Sequence, residues 1–384
     1  MREVRVVGAA SNRFGKMAET GREAAVRVAL EAIDRSGLTP SDLSSTFVSN
    51  CFGVAERQAH VGPLINTALG IPEVPSATIE SACSSSSAAL HEAFVHVAGG
   101  FADAVLVVGV EKLSHLDTLN ATSYFAMGAD YAFETRNGAT FPGLYATLAS
   151  AHRHKYGTKE SELGAVAVKN HANGARNPHA HFQKEISIET YLKSPVIASP
   201  LRLYDCCPFS DGAAAIVVAA KERLPSPPMV PLVVRASVRT GSIADMHDRS
   251  SMTGLPATRL GADRAFKMAG LERGQIDFLE VHDCFTIAEL MALEDLGFFP
   301  PGSAGAATAD GTTQRDGRLP VNPSGGLKAK GHPVSATGAS QVVEIFEQFN
   351  HLAGGRQVAK AETALAHNVG ATGGSCSVHI FGRP

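Results

Sequence analysis

The sequence predicts an α/β fold in which the chain is built from two similar halves. Residues 29–53 and 262–285 both read as a helix ending at Gly-Leu, a polar link, an apolar strand and then Cys-Phe. A second pair matches in the same way, because the helices expected after Cys83 and His332 each close at Gly-Gly and precede an apolar strand. Alternating strands and helices predict mostly parallel sheets covered by helices.

The elements follow from local patterns along the chain. V-R-V-V-G-A-A near residue 5 and L-V-V-R-A-S-V near residue 232 predict the first strand of each half. The unbroken apolar run 105–108 is typical of a strand that is buried on both faces. Two helices carry an apolar stripe with the spacing of a core-facing surface. The stripe residues are Leu90, Phe94 and Val97 in the first helix and Val342, Ile345, Phe349 and Leu352 in the second.

The halves are expected over residues 1–222 and 230–384. The P-S-P-P stretch at 225–228 predicts a linker, because proline clusters interrupt both helix and sheet. Residues 112–205, rich in His, Tyr and Gly, read as an insertion in the first half. Insertions of this length often form lids or binding loops, so we expect this one to contact substrate.

The composition restricts the class of protein. Of the 384 residues, 44% are hydrophobic and 18% are charged, which is enough to bury a sizeable core. The net charge of −3 argues against a nucleic-acid or polybasic membrane partner. No apolar run reaches the roughly 18–20 residues that a membrane span needs. The start, M-R-E-V-R-V-V, reads as a strand rather than a signal peptide.

Six cysteines are present, without a C-x-x-C pair. A long chain with no secretory signal is not expected to carry a disulfide framework, and a metal site is not expected either. We interpret four of them as small buried residues. These are Cys51, Cys206, Cys207 and Cys376.

Cys83 stands out within E-S-A-C-S-S-S-S, residues 80–87, where a helix is expected to begin. Backbone N–H groups and the helix dipole favour a negative charge there, so the thiol pKa is expected to be low. Small neighbours leave room for a substrate carbonyl to approach the sulfur. The pattern predicts a nucleophile; the alternative is a serine-rich helix cap with an incidental cysteine.

His332 lies in N-P-S-G-G-L-K-A-K-G-H-P-V-S-A-T-G-A, residues 322–339, a Gly- and Pro-rich loop before a helix. A histidine so placed can accept a thiol proton or donate to an oxyanion. The alternative is a glycine-rich loop with a surface histidine. A phosphate loop is less well supported, because G-x-x-x-x-G-K-[ST] is absent.

Two further stretches are expected at the same edge of the sheet. V-H-D-C-F, residues 281–285, ends a predicted buried strand and brings His282 and Cys284 to its carboxyl end. The alternative is a core strand with two satisfied polar residues. The glycines of H-N-V-G-A-T-G-G-S-C, residues 367–376, could present backbone N–H donors to a developing oxyanion.

These stretches, with Y-D-C-C-P-F-S-D-G-A-A-A at 204–215, resemble the thiolase family, and within it the sterol-carrier-protein-type thiolases, over essentially the whole chain. The resemblance implies a five-layered αβαβα fold built from two duplicated halves with an inserted loop domain. It implies CoA and acyl-CoA as substrates, no metal or redox cofactor, and a homodimer or homotetramer. It also implies cleavage of a 3-oxoacyl-CoA, or the reverse Claisen condensation, through an acyl-cysteine.

The resemblance assigns roles to the nucleophile and its neighbours. Cys83 matches the cysteine that carries the acyl group, and His332 matches the histidine that activates it and helps bind the thioester oxygen. Gly370 matches the glycine whose N–H joins that of Cys83 in the second oxyanion hole.

The proton-moving residue differs from that of most thiolases. Asn368 occupies the position where most members carry the cysteine of C-x-G, and H-D-C-F replaces N-E-A-F. Sterol-carrier-type thiolases show the same replacement. Cys284 is therefore expected to be the acid and base, with His282 as partner of the oxyanion and of water.

Several questions stay open at this stage. Ser335 replaces glycine in G-H-P-x-G-A-T-G, where a side chain would narrow the pocket or reorient the loop. A ketoacyl-synthase-like condensing enzyme is an alternative, although the intact Cys284 favours a thiolase. A subunit acting with a small acyl-CoA-binding partner protein is another. CoA contacts are expected from the insertion, and cytoplasm is expected because F-G-R-P is not a peroxisomal address.

Overall fold

The structure, a computed structural model, describes residues 1–224 and 226–384. Residue 225, the first of the predicted linker, lies outside the described residues. The strands are β1 Val4–Ser11, β2 Ser45–Ser49, β3 Ser76–Thr78, β4 Ala104–Glu111, β5 Val196–Ala198, β6 Leu201–Arg202, β7 Gly212–Ala220, β8 Leu232–Gly241, β9 Phe278–Glu280, β10 Thr363–Gly370 and β11 Ser375–Gly382. The helices are α1 Gly21–Ser36, α2 Val61–Ala68, α3 Ser85–Ala98, α4 Thr118–Ala126, α5 Phe141–Tyr156, α6 Glu160–Gly174, α7 Ile188–Leu192, α8 Pro256–Ala269, α9 Thr286–Asp295, α10 Ala304–Ala309, α11 Gly326–Ala329 and α12 Thr337–Phe349.

The main sheet has the strand order β3-β2-β4-β7-β1-β8-β11-β10-β9, and consists of a first-half sheet of five strands, β3 to β1, joined to a second-half sheet of four strands, β8 to β9. Its centre is a short antiparallel contact between β1 and β8, in which Arg5 pairs with Val233 and Val6 with Leu232. Outward from that contact the order β1-β7-β4-β2 in one half corresponds to β8-β11-β10-β9 in the other. A parallel bridge between Leu279 and Val321 lies beside β9, where β3 lies beside β2 in the first half. The duplication read from the sequence is confirmed.

The expectation of mostly parallel sheets is wrong. Parallel pairing joins β2 to β3, β2 to β4 and β9 to β10. The other pairs are antiparallel: β1–β7, β4–β7, β1–β8, β8–β11 and β10–β11. The last strand of each half, β7 or β11, does not follow a crossover helix. Instead, β7 lies between β1 and β4, and β11 lies between β8 and β10. Strand–helix alternation thus governs only the first part of each half.

Three hydrophobic clusters show how the layers are stacked. One packs α1 and α2 on the outer face of the first-half sheet. The second packs α3 and α12 between the two sheets, where both helices are almost wholly enclosed. The third packs α8 and α9 on the outer face of the second-half sheet. The five-layered αβαβα fold is therefore confirmed, with one helical layer between the sheets and one on each outer face.

The insertion consists of α4 to α7 and the small β5–β6 sheet. Its helices α5 and α6 join the same cluster as α8 and α9, so the inserted region covers the second half. One stripe prediction is wrong: α12 ends at Phe349, and Leu352 beyond it is 50% exposed. Within the described residues, none of the helices combines the length and apolar character that a membrane crossing requires.

Candidate active site

Cys83 lies in the 3₁₀ turn Ala82–Ser84, which leads directly into α3. Ala82 adopts φ +48°, a left-handed conformation that a residue with a side chain seldom takes. Such strained positions collect at functional sites, where the surrounding structure holds them in place. The turn leaves Cys83 on the wall of a pocket, half-buried among small residues.

The serines around Cys83 fasten this turn rather than cap the helix. Ser84 lies at the N-cap position without a side-chain capping bond, and its hydroxyl donates to the carbonyl of Ser81 at 2.9 Å. The Ser85 hydroxyl accepts from the Ser81 N–H at 2.9 Å, and Ser86 accepts from the N–H of Ala339 at 2.9 Å. The serines therefore pin the nucleophile turn to itself and to α12.

His332 is buried, and its protonation can be read from its neighbours. Its Nδ1 lies 2.6 Å from the Thr337 hydroxyl, and that hydroxyl donates its hydrogen to the carbonyl of Pro333 at 3.0 Å. Thr337 must then accept from His332, so Nδ1 carries the hydrogen and Nε2 keeps a lone pair. Burial lowers the pKa of His332 to about 3, so the resting ring is neutral and able to accept a proton.

His282 lies against His332, with ring centroids 5.3 Å apart and the rings nearly perpendicular. Its Nδ1 is 2.9 Å from the side-chain amide of Asn368, the residue that replaces the family's late cysteine. Burial, and then the nearby His332 and His367, lower the pKa of His282 well below its ordinary value. Its Nε2 is buried with no hydrogen-bond partner among the described residues, and His282 is not among the residues that line the cavity.

One ligand-type atom from each of Cys83, His282 and His332 lies within 4.8 Å of the others. The structure therefore brings together one thiol and two imidazoles from three of the motifs; the roles predicted for these residues stay predictions. The same three atoms are close enough to hold a metal ion, as are those of Asp245, His247 and Asp248 at the protein surface.

The prediction of a low thiol pKa at the helix start is wrong for the resting protein. Burial raises the pKa of Cys83 to about 12, and the N–H of Ala371 and of Cys83 itself offset only part of that effect. Carboxylates at Glu111 and Glu80 add to the rise. Desolvation outweighs the helix start because the sulfur lies in an apolar pocket. Cys83 is therefore a thiol at rest.

Cys284 lies on the same pocket wall and is 5% exposed. Burial raises the pKa of its thiol well above the ordinary value, as do nearby Cys207 and Cys83 if ionised. A hydrogen bond with Tyr145 acts in the opposite direction and lowers the pKa. Cys284 is thus a protonated thiol, which suits a group that first gives up a proton.

Gly370 ends β10 directly against the nucleophile turn. A Cβ at this position would lie 2.6 Å from the carbonyl oxygen of Ser81, so only glycine permits the approach. The N–H that reaches the sulfur of Cys83 belongs to the next residue, Ala371, whose φ of +53° is left-handed. The oxyanion role predicted for Gly370 stays a prediction.

Cys83, Cys284 and His332 line one cavity of about 280 Å³. Its wall is largely apolar, and much of it comes from the insertion. The other lining residues are Phe52, Ala82, Thr118, Thr122, Phe125, Gly128, Phe141, Pro142, Ile197, Leu203, Cys206, Cys207, Phe209, Phe285, Val334 and Ala371. Cys51, Cys206 and Cys207 are only partly buried, so their interpretation as buried core cysteines is wrong. Of the four cysteines so interpreted, Cys376 alone is buried.

Ser335 does not narrow the pocket. Its hydroxyl donates to the buried carboxylate of Glu111 at 2.7 Å and accepts from the N–H of Cys51 at 2.8 Å. The side chain is held beneath the nucleophile turn, where Cys51 contacts the carbonyl of Ala82 at 3.4 Å. The serine that replaces the family's glycine at residue 335 thus adds a hydrogen-bond network below the site.

Sequence reasoning missed three residues of the site. Ala371 and Thr337 belong to motifs that are recognisable in the sequence. The sequence does not show, however, that Ala371 contacts Cys83 or that Thr337 fixes the tautomer of His332. Tyr145 comes from the insertion, where no motif marks it. Contacts across distant segments decided all three roles.

Comparison with known proteins gives full-length matches. The family model described as "Thiolase, N-terminal domain" matches residues 4–222, and "Thiolase C-terminal domain-like" matches residues 238–383. The chain is 42% identical to an acetyl-CoA acetyltransferase of Methanothermobacter thermautotrophicus over 100% of both chains. It is 31% identical to sterol carrier protein 2 of Gallus gallus, over 99% of this chain and 72% of that one. The solved Ltp2-ChsH2(DUF35) aldolase superposes with a TM-score of 0.86 at 24% identity, covering 99% of this chain and 98% of that one.

Proposed function

The chain belongs to the thiolase family and is an acyltransferase, and we propose that it cleaves a 3-oxoacyl-CoA with CoA, or runs the reverse Claisen condensation. The acyl group is held as a thioester on Cys83 between two half-reactions. The observation that carries the proposal is the convergence of Cys83, His332 and His282 within 4.8 Å, beside a cavity that Cys83, His332 and Cys284 line.

In the first half-reaction, the thiol of Cys83 gives its proton to Nε2 of His332 and the sulfur attacks the ketone carbon. A thiol with a pKa near 12 beside a neutral imidazole requires the proton to move as the bond forms. The C–C bond then breaks, and the departing acetyl-CoA enolate takes the proton of Cys284. The products are acetyl-CoA, acyl-Cys83, protonated His332 and the thiolate of Cys284.

In the second half-reaction, CoA gives its thiol proton to the Cys284 thiolate and attacks the acyl carbon. The sulfur of Cys83 leaves and recovers its proton from His332, so every group returns to its starting state. Backbone N–H groups at Cys83, with Gly370 or Ala371, are proposed to bind one oxyanion, and His332 with His282 the other.

Several broader assignments belong to the same proposal. We divide the chain into a first half over 1–222, with the insertion at about 112–205, and a second half over 230–384. We also propose a cytoplasmic location and no metal or redox cofactor. CoA is expected to enter along the cavity wall formed by the insertion, in particular by Thr118, Thr122 and Phe125 of α4.

A protein partner is also proposed, a second copy of the chain or a small acyl-CoA-binding protein. The similar Ltp2-ChsH2(DUF35) aldolase is named for two components, Ltp2 and ChsH2. Here α4 lines the cavity, while Leu119 on that helix and Phe133 further along the insertion are 81% and 69% exposed. Light scattering of the purified protein separates a monomer from a homodimer or homotetramer, and purification from the source cells tests for a second protein.

Mass spectrometry tests the acyl-enzyme directly. The protein is exposed briefly to acetyl-CoA or acetoacetyl-CoA, and digestion then maps any adduct. We expect acetylation of Cys83 that disappears when free CoA is added. Cys284→Ala should still form the adduct but should not cleave acetoacetyl-CoA, because the enolate lacks its acid.

The controls separate this proposal from its alternatives. Cys83→Ala should form no adduct and cleave nothing; normal cleavage by this variant would refute the acyl-cysteine mechanism. Activity with a malonyl carrier protein and none with free CoA would instead indicate a ketoacyl-synthase-like enzyme. Activity that appears only after a second protein is added would favour the partner-dependent form.

A further inference from the structure

Asp283 is a fully buried residue that the mechanism above does not use, although it directly precedes Cys284. Its Oδ1 accepts from the N–H of Leu327 at 2.6 Å, and its Oδ2 accepts from the N–H of Lys328 at 3.2 Å. Both donors lie in α11, in the loop that carries His332. One carboxylate therefore connects the segment of the proposed acid with the loop of the proposed base.

The two successive glycines of N-P-S-G-G-L-K show how closely this loop is packed. A Cβ on Gly326 would overlap Oδ2 of Asp283, and a Cβ on Gly325 would lie 2.7 Å from Cα of Gly174 in α6. Both loop residues also take left-handed conformations, with φ of +59° and +101°. Only glycine permits these approaches. The loop backbone therefore packs directly on Asp283 and on the insertion.

Helix α6 of the insertion supplies the third donor to Asp283. The side-chain amide of Asn170 donates to Oδ2 of Asp283 at 2.7 Å and to Oε2 of Glu289 at 2.8 Å. Lys169, the preceding residue, pairs with Glu289 at 2.6 Å. Burial raises the pKa of Asp283 to about 7, but all three of its hydrogen-bond partners donate and so favour the ionised carboxylate.

The two segments that Asp283 joins, 279–283 and 322–328, are also connected at earlier positions. Asn322 donates to the backbone of the first segment and accepts from it, both at 2.8 Å. Ser324 donates its N–H and its hydroxyl to Glu280, at 3.0 and 2.7 Å. The bonds of the buried aspartate come last along the first segment, immediately before the proposed acid.

We propose that Asp283 is a positioning residue that fixes the loop of His332 relative to Cys284. It acts through its two bonds to the loop backbone, and Asn170 holds the carboxylate in place for them. Asp283 itself exchanges no proton with the substrate. This inference rests on the proposed function, because it needs His332 as the base and Cys284 as the acid.

The role predicts a loss of turnover rather than of substrate affinity. Each proposed half-reaction uses His332 and Cys284 in turn, so a displaced loop slows both of them. Asp283 is not among the residues that line the cavity, so its loss removes no contact with the substrate. The value of kcat should therefore fall while KM changes little.

Asp283→Asn tests this in the full-length protein, because it keeps the shape of the side chain but turns an amide donor towards groups that also donate. We expect kcat for acetoacetyl-CoA cleavage to fall about 10- to 100-fold, the range for losing a hydrogen bond to a charged group. KM should stay within about threefold. Asp283→Glu keeps the charge but adds a methylene where the loop leaves no room, so its kcat should fall too. Wild-type kcat in either variant would overturn the proposal.

Asp277→Asn is the matched control. Asp277 directly precedes β9, at the end of this strand away from Cys284. Its carboxylate also accepts from two successive backbone N–H groups, those of Glu362 and Thr363, at 2.9 and 3.0 Å. The melting temperature should fall in both variants, whereas kcat should fall only in Asp283→Asn. An equal loss of kcat in Asp277→Asn would overturn the proposal, because any weakened strand anchor would then have the same effect.

Hydrogen exchange tests the contact without relying on activity. In peptides that cover residues 322–333, protection of the Leu327 and Lys328 amides should be lost in Asp283→Asn and kept in Asp277→Asn. Unchanged protection in Asp283→Asn would overturn this inference and leave the proposed function standing. Loss of protection, in a protein whose wild type neither acetylates Cys83 nor cleaves acetoacetyl-CoA, would instead refute the proposed function and the positioning role with it.

A second variant covers the case in which Asp283→Asn does not fold. Asn170→Ala removes the amide that holds the carboxylate but leaves both bonds to the loop, so kcat should fall about 3- to 10-fold at unchanged KM. Asn66→Ala is its control, because Asn66 is a fully buried helical residue whose amide donates to the carbonyl of Val74 at 2.7 Å. It should leave kcat unchanged. Equal kcat in Asn170→Ala and wild type would overturn the proposal.

Discussion

The two central helices begin in the same way, yet only one start carries the proposed nucleophile. A 3₁₀ turn precedes each helix, Ala82–Ser84 before α3 and Val334–Ala336 before α12. The middle residue is Cys83 in one and Ser335 in the other. Cys83 opens onto the cavity, whereas Ser335 is completely buried beneath it. Duplication thus provided two equivalent positions, and their surroundings determine what each does.

The strand end that packs against each turn makes the difference. The end of β10 presents the N–H of Ala371 to the sulfur of Cys83, a contact that favours a thiolate. The end of β4 presents the carboxylate of Glu111, which accepts from Ser335 and from the N–H of Phe52 at 3.0 Å. The N–H donor of Ala371 thus faces Cys83, whereas the carboxylate acceptor of Glu111 faces Ser335. The hydrogen bonding of each turn therefore depends on the strand end that packs against it, and not on the helix that the turn begins.

The largest expected effect is the loss of activity on substitution of Cys83, compared with substitution of Ser335 at the equivalent position of the second turn. Cys83→Ser should lower the cleavage of acetoacetyl-CoA by at least about 10³-fold, because a hydroxyl is a far weaker nucleophile than a thiol in the same place. Ser335→Ala should stay within about threefold, because its hydroxyl is directed away from the cavity. Steady-state kinetics of the two variants measure this. Comparable losses in both would mean that Ser335 acts in the reaction.

The carboxylate at the second turn gives a pH test of stability. Burial raises the pKa of Glu111 from 4.5 to about 7. The folded state then binds more protons than the unfolded state between these values, so the free energy of unfolding falls as pH rises through that window. Glu111→Gln cannot titrate, so its difference from wild type should change by roughly 3 kcal/mol between about pH 4.5 and about pH 8.

Urea unfolding at a series of pH values measures that difference. Cys83→Ala is the control, since a thiol with a pKa near 12 does not titrate in this range, and its curve should run parallel to that of wild type. If the Glu111→Gln and wild-type curves are parallel instead, Glu111 is ionised throughout and the acceptor assignment stands without the pH dependence.

The reactivity of Cys83 tests whether the first turn holds a preformed thiolate. Because burial raises its pKa to about 12, the rate of alkylation by iodoacetamide should rise about tenfold per pH unit from about pH 7 to about pH 9. Peptide mapping assigns the label to Cys83. A plateau below about pH 8 would show that a thiolate and a protonated His332 already exist at rest.

The smallest effect concerns the hydroxyl of Ser335. Ser335→Gly restores the residue usual in the family and leaves Glu111 with one donor fewer, which should cost about 1–2 kcal/mol of stability. The loss should be larger at about pH 8, where the carboxylate is ionised, than at about pH 5. Ser335→Ala separates the lost hydroxyl from the flexibility of glycine. Equal stability of all three proteins would show that the bond contributes nothing.

The sequence predicted more of the fold than of the electrostatics. Helical stripes, Gly stops and the repeated Gly-Leu–strand–Cys-Phe pattern identified the two halves, because these are local features that repeat with a fixed period. These local features did not reveal strand direction. The strands β7 and β11 pair antiparallel with β1 and β8, and each follows a segment without helix–strand alternation. Direction depends on the chain's path through space, which local periodicity does not record.

The site shows the same division. The sequence predicts site roles for Cys83, His332, His282 and Cys284, because each lies in a short motif at a strand or helix end. The structure brings three of them within 4.8 Å and adds Tyr145, whose place on α5 gave no signal. It also reversed the expected pKa shift of Cys83, since desolvation depends on residues that are distant in sequence.

By itself, then, the sequence determined the duplicated architecture, the family resemblance and the residue types available for chemistry, because these follow from short-range order along the chain. Only the tertiary structure decided which helix start faces the cavity, which nitrogen of His332 carries the hydrogen, and that Ala371 lies between Cys83 and the hydroxyl of Tyr145. The physical reason is that burial, hydrogen-bond direction and pKa are properties of groups packed together across distant segments.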